Sequence, residues 1–203
     1  GDVGNNLNVN GLIMNAYLMS GDEKYKDWLL EYVGAWLERA RANGGIMPDN
    51  VGLNGEVGAD HNGKWYGGLY GWTWPHGFYN LGFAAVMAAT NAYLLSGDAQ
   101  YLELPRKMID VVVEQGIQGD FDEWEGKMST PHHYMGVKRA LGPERRTFLT
   151  PFRYGDQGWM DYQPMLPVYS LNLWNVTGAQ EDWDRVEFLR QQSGYDWRKL
   201  LPF

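Results

Sequence analysis

The spacing of apolar and polar residues predicts α-helices of two kinds. In residues 22–42, apolar side chains recur every three or four positions, and charged side chains occupy the opposite face. Leu12, Ala16 and Met19 show the same helical spacing further upstream. Residues 78–96 are instead apolar nearly all round, which is typical of a helix that is buried on most of its sides. The pattern predicts pairs of one inner and one outer helix, with residues 78–96 more buried than residues 22–42.

A turn sequence between the paired helices occurs twice almost unchanged, at residues 15–25 and 91–101. Eight of the eleven positions are identical, and a weaker third copy covers residues 172–178, with Trp183 near the position of the closing aromatic residue. Self-similarity at a period of about eighty residues indicates a repeat architecture. The Gly of each turn suits the left-handed conformation that ends a helix. The Asp that follows it in the first two copies is predicted to cap the next helix.

This tandem of an Ala-rich inner helix, a Gly-Asp turn and an amphipathic outer helix resembles the six-hairpin glycosidases and related polysaccharide lyases. The resemblance implies an all-α fold, in which repeated antiparallel hairpins form an incomplete α/α toroid with long loops able to hold short strands. We expect a single domain over residues 1–203, with hairpins at about 8–42, 77–117 and 163–193. Three hairpins are too few to close such a ring. The chain is therefore expected to be a fragment or a truncated reading frame, the alternatives being an open half-ring or a homo-oligomer that completes the ring.

Composition and missing motifs exclude several classes of function. The chain has no cysteine, which excludes disulfides, thiolate zinc sites and a cysteine nucleophile. Its net charge of −8 argues against a nucleic-acid partner, and no apolar run is long enough to span a membrane. No serine-hydrolase, dinucleotide-binding, Walker or zinc-protease motif is present. We predict no cofactor and no metal, because the acidic residues near 120–125 lack the spacing of an EF-hand loop. The compartment stays open, with a periplasmic or extracellular one favoured.

The first long loop, residues 44–76, is rich in aromatic residues flanked by glycines. A loop of this length in a compact domain is usually functional. Sugar rings present apolar C–H faces that lie against flat aromatic side chains, so the loop is predicted to line a ligand cleft. The alternative is that these rings form a small core that covers the helices. The aromatic residues are Trp65, Tyr66, Tyr70, Trp72 and Trp74.

His76 lies where this loop enters the inner helix, with Asn80 one turn later and Tyr79 beside it. The partly positive start of a helix, next to a histidine and an amide, suits a carboxylate or an oxyanion. Uronate β-elimination needs neutralisation of the sugar carboxylate and a base, commonly Tyr or His in lyases of the fold that the chain resembles. His76, Asn80 and either Tyr70 or Tyr79 supply these groups. The alternative is that His76 only caps and packs.

The second long loop, residues 118–163, begins with acidic residues and continues with basic ones. A basic patch on an acidic protein suits an anionic polysaccharide, whereas the alternative is a solvated loop with internally paired arginines. The candidate binding residues are His132, His133, Arg153 and Tyr154. Both loops connect an outer helix to an inner one, so residues 65–76 are expected to meet residues 132–156 at one end of the hairpins.

Three functions remain open, and all of them involve a polysaccharide or oligosaccharide as the partner. We predict a carbohydrate-active enzyme that acts on an acidic polysaccharide by uronate β-elimination. A rival is an inverting glycoside hydrolase, which needs two carboxyl groups about 6.5–9.5 Å apart. Its carboxyl groups would be Asp49, Glu56 or Asp60 in the first loop and Asp156 or Asp161 in the second. The other rival is a glycan-binding module without catalysis.

Overall fold

A computed structural model describes residues 1–125 and 145–194. Seven α-helices lie in these residues: α1 (Asn10–Ser20), α2 (Glu23–Ala42), α3 (Gly77–Ser96), α4 (Glu103–Glu114), α5 (Phe121–Glu125), α6 (Val168–Thr177) and α7 (Gln180–Gln192). Five strands accompany them: β1 (Asp2–Val3), β2 (Asn50–Val51), β3 (Ile117–Asp120), β4 (Arg146–Gly155) and β5 (Gly158–Gln163). Short 3-10 helices span Gly4–Val9 and Ala99–Leu102. Within the described ranges, no helix is both long enough and apolar enough to cross a membrane.

The all-α fold that we predicted is wrong, because the chain has a mixed α/β fold. Strands β1 and β2 form an antiparallel pair, and β3, β4 and β5 form a three-stranded antiparallel sheet. The second long loop contains most of this sheet. Its aromatic and threonine residues favour strands, and Gly155 and Gly158 are paired at the turn between β4 and β5. Strands were expected to be short and confined to the long loops, whereas β4 has ten residues and β1 lies at residues 2–3.

Contacts divide the chain into two compact units, Gly1–Val111 and Val112–Phe203. In the first unit, α1 packs on α2, and α3 contacts α1, α2 and the 3-10 helix Gly4–Val9. In the second unit, α6 packs on α7, and α7 contacts β4. Each unit therefore contains helices packed on one another and one antiparallel sheet.

The predicted Gly-Asp turns are confirmed in their local geometry. The three turn glycines, with φ angles of 68°, 74° and 62°, are Gly21, Gly97 and Gly178. In the first two copies the following Asp caps the next helix, because Asp22 accepts from the Lys24 backbone N–H and Asp98 accepts from that of Gln100. The third copy has Ala179 at this position and lacks a side-chain cap.

The predicted order of burial is confirmed for α3 and α2. Eleven residues of α3 are buried and five of α2 are. However, α3 also exposes a stripe formed by Tyr79, Met87 and Leu94. In α1, Leu12 and Met19 are 70% and 90% exposed, so their helical spacing does not mark a buried face.

Candidate functional site

The carboxylate of Asp49 organises the part of the first loop that carries the aromatic residues. This side chain is fully buried, and it accepts four hydrogen bonds of 2.7–3.1 Å. The donors are the backbone N–H groups of Gly67, Gly68 and Trp72 and the side chain of Asn50. A buried carboxylate surrounded by donors is well stabilised, and it fixes the backbone that supplies them. Asp49 therefore positions residues 67–72 rather than facing solvent.

Two glycines of this segment lie too close to Asp49 to carry a side chain. A Cβ atom on Gly71 would come within 2.1 Å of the Asp49 carboxylate, and one on Gly68 would come within 2.3 Å of the Asp49 carbonyl oxygen. The backbone of residues 49–50 is fixed as well, because the Asp49 N–H donates to the Trp65 carbonyl at 2.9 Å. The glycines of the loop thus allow the backbone to wrap closely around one carboxylate.

The five aromatic residues of the loop divide into a buried group and an exposed pair. Trp72 is fully buried, donates from Nε1 to the Met47 carbonyl at 2.9 Å and stacks on Phe78. Trp65 and Tyr66 are half-buried and make edge contacts, Trp65 with both Tyr66 and Trp72. The structure gives these three residues contacts typical of a small core, and their predicted part in substrate binding stays a prediction.

Tyr70 and Trp74 form the exposed pair. Their ring centroids are 4.9 Å apart, and the side chains are 46% and 37% exposed. Tyr70 has a φ angle of +56°, which is a strained conformation for a bulky residue. Such strain persists only where the surrounding structure enforces it, and it is found more often at functional sites. The backbone held by Asp49 on both sides of Tyr70 supplies this constraint.

The exposed surface continues onto the first turns of α3. His76 is exposed and makes no capping hydrogen bond with its side chain within the described residues. Its ring lies 6.5 Å from that of Tyr79, which is 44% exposed. Asn80 donates to the Tyr70 carbonyl at 3.4 Å, so its amide supports the loop. We call Tyr70, Trp74, His76 and Tyr79 the aromatic surface.

The candidates of the second loop belong to the second unit, whereas the aromatic surface belongs to the first. Arg153 and Tyr154 lie on β4 in the second unit, where the Tyr154 and Trp159 rings are 5.0 Å apart. His132 and His133 lie outside the described residues. The meeting of the two loops therefore stays a prediction.

The acidic candidates have different surroundings. Glu56 and Asp60 are exposed on the first loop, Asp156 is exposed on the turn after β4, and Asp161 is half-buried on β5. In the early part of the second loop, Asp122 forms an ion pair with Arg145 at 2.8 Å. Residues 1–125 and 145–194 contain no group of three or more His, Asp or Glu side chains that could hold a metal ion. The pairing of a carboxylate from each loop stays a prediction.

Sequence reasoning missed two features of the first unit. Asp49 was considered as a catalytic carboxylate, and its role in shaping the loop was not recognised. The glycines at 67, 68 and 71 are the sequence signal that could have indicated a tightly wrapped backbone. Trp28 is one of the recurring apolar residues within 22–42, which predict a buried face, whereas it is 43% exposed.

Comparison with known proteins assigns the chain to a family. No curated protein and no solved structure matches it. The chain matches a family described as a domain of unknown function, DUF8034, over residues 1–203. Because this match spans the whole sequence, the chain belongs to the DUF8034 family.

Proposed function

We propose that this protein acts on an acidic polysaccharide and binds it at the aromatic surface. The observation that carries the proposal is the exposed Tyr70–Trp74 pair, which is held in place by the buried carboxylate of Asp49. Exposing aromatic rings to water is unfavourable in free energy, and a ligand that covers the rings removes part of this cost. Sugar rings offer the apolar C–H faces that suit such rings.

The rigidity of the loop favours a binding site over a loose cluster of exposed side chains. The hydrogen bonds to Asp49 fix the backbone on both sides of Tyr70, and the Asn80 amide holds the Tyr70 carbonyl. A preorganised site loses little conformational freedom when a ligand binds, and this increases affinity. The loop is thus built to present two rings at a fixed spacing.

The reaction that we propose at this surface is β-elimination of a uronate. His76 and Tyr79 are both exposed and lie side by side, which gives one base and one acid within reach of the same sugar. One of them takes the proton from C5, the C–H electron pair forms the C4=C5 double bond, and the C4–O bond breaks. The departing oxygen takes a proton from the other group, so the reaction needs no further reactant.

Asp49 gives little support to hydrolysis by an inverting mechanism. An inverting hydrolase needs a carboxylic acid and a carboxylate that both face the substrate. Asp49 is fully buried and accepts hydrogen bonds from four donors, so neither of its oxygens is directed to solvent. Binding without catalysis remains the second proposal, because the Tyr70–Trp74 pair alone would serve it.

Replacing Trp74 by alanine is expected to weaken binding of uronate oligosaccharides by at least about tenfold, since loss of an exposed aromatic anchor costs roughly 1.4 kcal/mol or more. Calorimetric titration with oligosaccharides of galacturonate, mannuronate and glucuronate measures this. Phe188→Ala in the second unit is a matched control, because Phe188 is exposed to a similar degree. Equal affinities of wild type and Trp74→Ala for every oligosaccharide that binds would contradict the proposal.

The products distinguish the proposed reactions from one another. Elimination creates an unsaturated uronate that absorbs ultraviolet light together with a new reducing end. Hydrolysis creates reducing ends alone. Binding that is not followed by either signal would overturn the enzymatic part of the proposal and leave a glycan-binding module.

A further inference from the structure

A cavity in the first unit combines an exposed indole with several carboxamides. It has a volume of about 640 Å³ and lies between the 3-10 helix Gly4–Val9, α1 and α2. The residues that matter for its chemistry are Asn5, Asn6, Asn8, Trp28 and Tyr32. None of them belongs to the aromatic surface.

Trp28 supplies a flat apolar wall. Its indole stacks on the Tyr32 ring with centroids 4.8 Å apart and an angle of 17° between the ring planes. Although Tyr32 covers one face, Trp28 is still 43% exposed. An indole that is fixed on one side and open on the other is suited to stacking against a flat apolar ligand face.

A hydrogen-bond network fixes the polar side of the cavity. Tyr32 donates to the Asp2 carboxylate at 2.5 Å, and the Asn6 side chain donates to the same carboxylate at 2.6 Å. Burial raises the pKa of Tyr32 well above its usual range, and the hydrogen bond to Asp2 adds to this effect. The Tyr32 hydroxyl therefore stays protonated and keeps its place as a donor to Asp2.

The carboxamides retain unused hydrogen-bonding capacity. Asn8 donates to the backbone carbonyl and to the side-chain oxygen of Asn5, both at 3.0 Å. Each carboxamide offers two donor hydrogens and an oxygen with two lone pairs, which is more than these bonds use. Asn6 and Asn8 are exposed, and Asn5 is half-buried. They can therefore serve ligand hydroxyl groups, which are both donors and acceptors.

We propose that this cavity is a second saccharide site and that its ligand is a neutral sugar, with Trp28 as the stacking platform. A sugar pyranose ring has an apolar face for the indole and hydroxyl groups at its rim for the asparagines. The charged residue that lines the cavity, Asp2, is acidic, which disfavours an anionic sugar. A second cavity of about 510 Å³ shares Asp2, Trp28 and Tyr32, which gives room for a ligand longer than one sugar unit.

The test uses the whole chain and neutral oligosaccharides of glucose, xylose, mannose, galactose and arabinose. In calorimetric titrations we expect at least one of them to bind, and Trp28→Ala to weaken that binding at least tenfold. Asn8→Ala, which leaves the Trp28–Tyr32 stack in place, should weaken it severalfold. Trp74→Ala should leave it unchanged. Circular dichroism and thermal unfolding verify that each variant is folded.

The outcomes separate this proposal from the function proposed above. If no neutral oligosaccharide binds, or if Asn8→Ala and a folded Trp28→Ala both bind as the wild type does, the second site is wrong. A loss of neutral-sugar binding in Trp74→Ala would also overturn it, because the ligand would then lie on the aromatic surface. Uronate binding that depends on Trp74 and not on Trp28 tests the other proposal independently.

Discussion

Replacing Asp49 by alanine is expected to lower the free energy of unfolding by about 3 kcal/mol or more, because each buried donor left without a partner costs about 1–3 kcal/mol. Three backbone N–H groups lose their acceptor in this variant, and the Asn50 amide keeps only its hydrogen bond to the Lys64 carbonyl. Equilibrium unfolding in urea, followed by circular dichroism and tryptophan fluorescence, measures the change. Asp49→Asn should also be destabilised, since an amide offers one acceptor oxygen in place of two.

Asp60→Ala is the matched control, because Asp60 is an exposed aspartate of the same loop. Substitution at an exposed site of this kind usually changes stability by no more than about 0.5 kcal/mol. An Asp49→Ala protein that unfolds at the same urea concentration as the Asp60→Ala protein would show that the carboxylate does not hold the loop.

Replacing His76 by alanine is expected to lower turnover of a uronate polysaccharide by roughly 10²–10⁴-fold, the usual worth of a positioned acid-base group. Folding should be nearly unchanged, because His76 is exposed and makes no side-chain capping bond within the part of the chain that the structure describes. The rate is measured as the increase in ultraviolet absorbance of the unsaturated product. Tyr79→Phe, which keeps the ring and removes the hydroxyl, should also reduce turnover.

The activities of Asp49→Asn and His76→Ala distinguish hydrolysis from elimination, but the buried position of Asp49 affects how they are interpreted. Loss of activity in Asp49→Asn could arise from a disordered loop, so activity must be compared with stability in the same variant. A stable Asp49→Asn protein without activity, next to a nearly normal His76→Ala, would end the elimination proposal and support hydrolysis. A His76→Ala protein that is inactive and correctly folded is the result that we expect.

The helical turns could be predicted from the sequence because they depend on a few adjacent residues. Gly21 ends α1 in a left-handed conformation, and Asp22 caps α2 within the same four or five residues. The third turn has the glycine but not the Asp. In the structure, α6 ends in the same left-handed conformation, and α7 begins without a side-chain cap. Local chemistry is thus sufficient for this part of the fold.

The sheet could not be predicted in the same way because its pairing is not local. Strand β3 ends at residue 120 and pairs with β4, which begins at residue 146. Arg153 and Tyr154 of β4 were interpreted as ligand-binding residues on a loop, although an aromatic side chain such as that of Tyr154 also favours strands. No local signal distinguishes these two roles when the pairing partner lies far away in the sequence.

The sequence alone does not distinguish the exposed residues of the candidate site from the buried ones. Tyr70, Trp74, His76 and Tyr79 are exposed, as binding or catalytic residues must be, and each of the four lies next to another member of the group. Trp72 has the same glycine-flanked context and is fully buried. The difference depends on hydrogen bonds between Asp49 and a segment about twenty residues away, which spacing along the chain does not indicate.

Binding at the aromatic surface is tested most directly by nuclear magnetic resonance of the ¹⁵N-labelled protein during titration with a uronate oligosaccharide. We expect the indole N–H signal of Trp74 and the backbone N–H signals of Tyr70 and Tyr79 to shift together, with a single dissociation constant. The indole N–H of Trp183 in the second unit should not shift. Shifts that leave residues 69–80 unaffected while the oligosaccharide binds elsewhere on the chain would contradict the proposal.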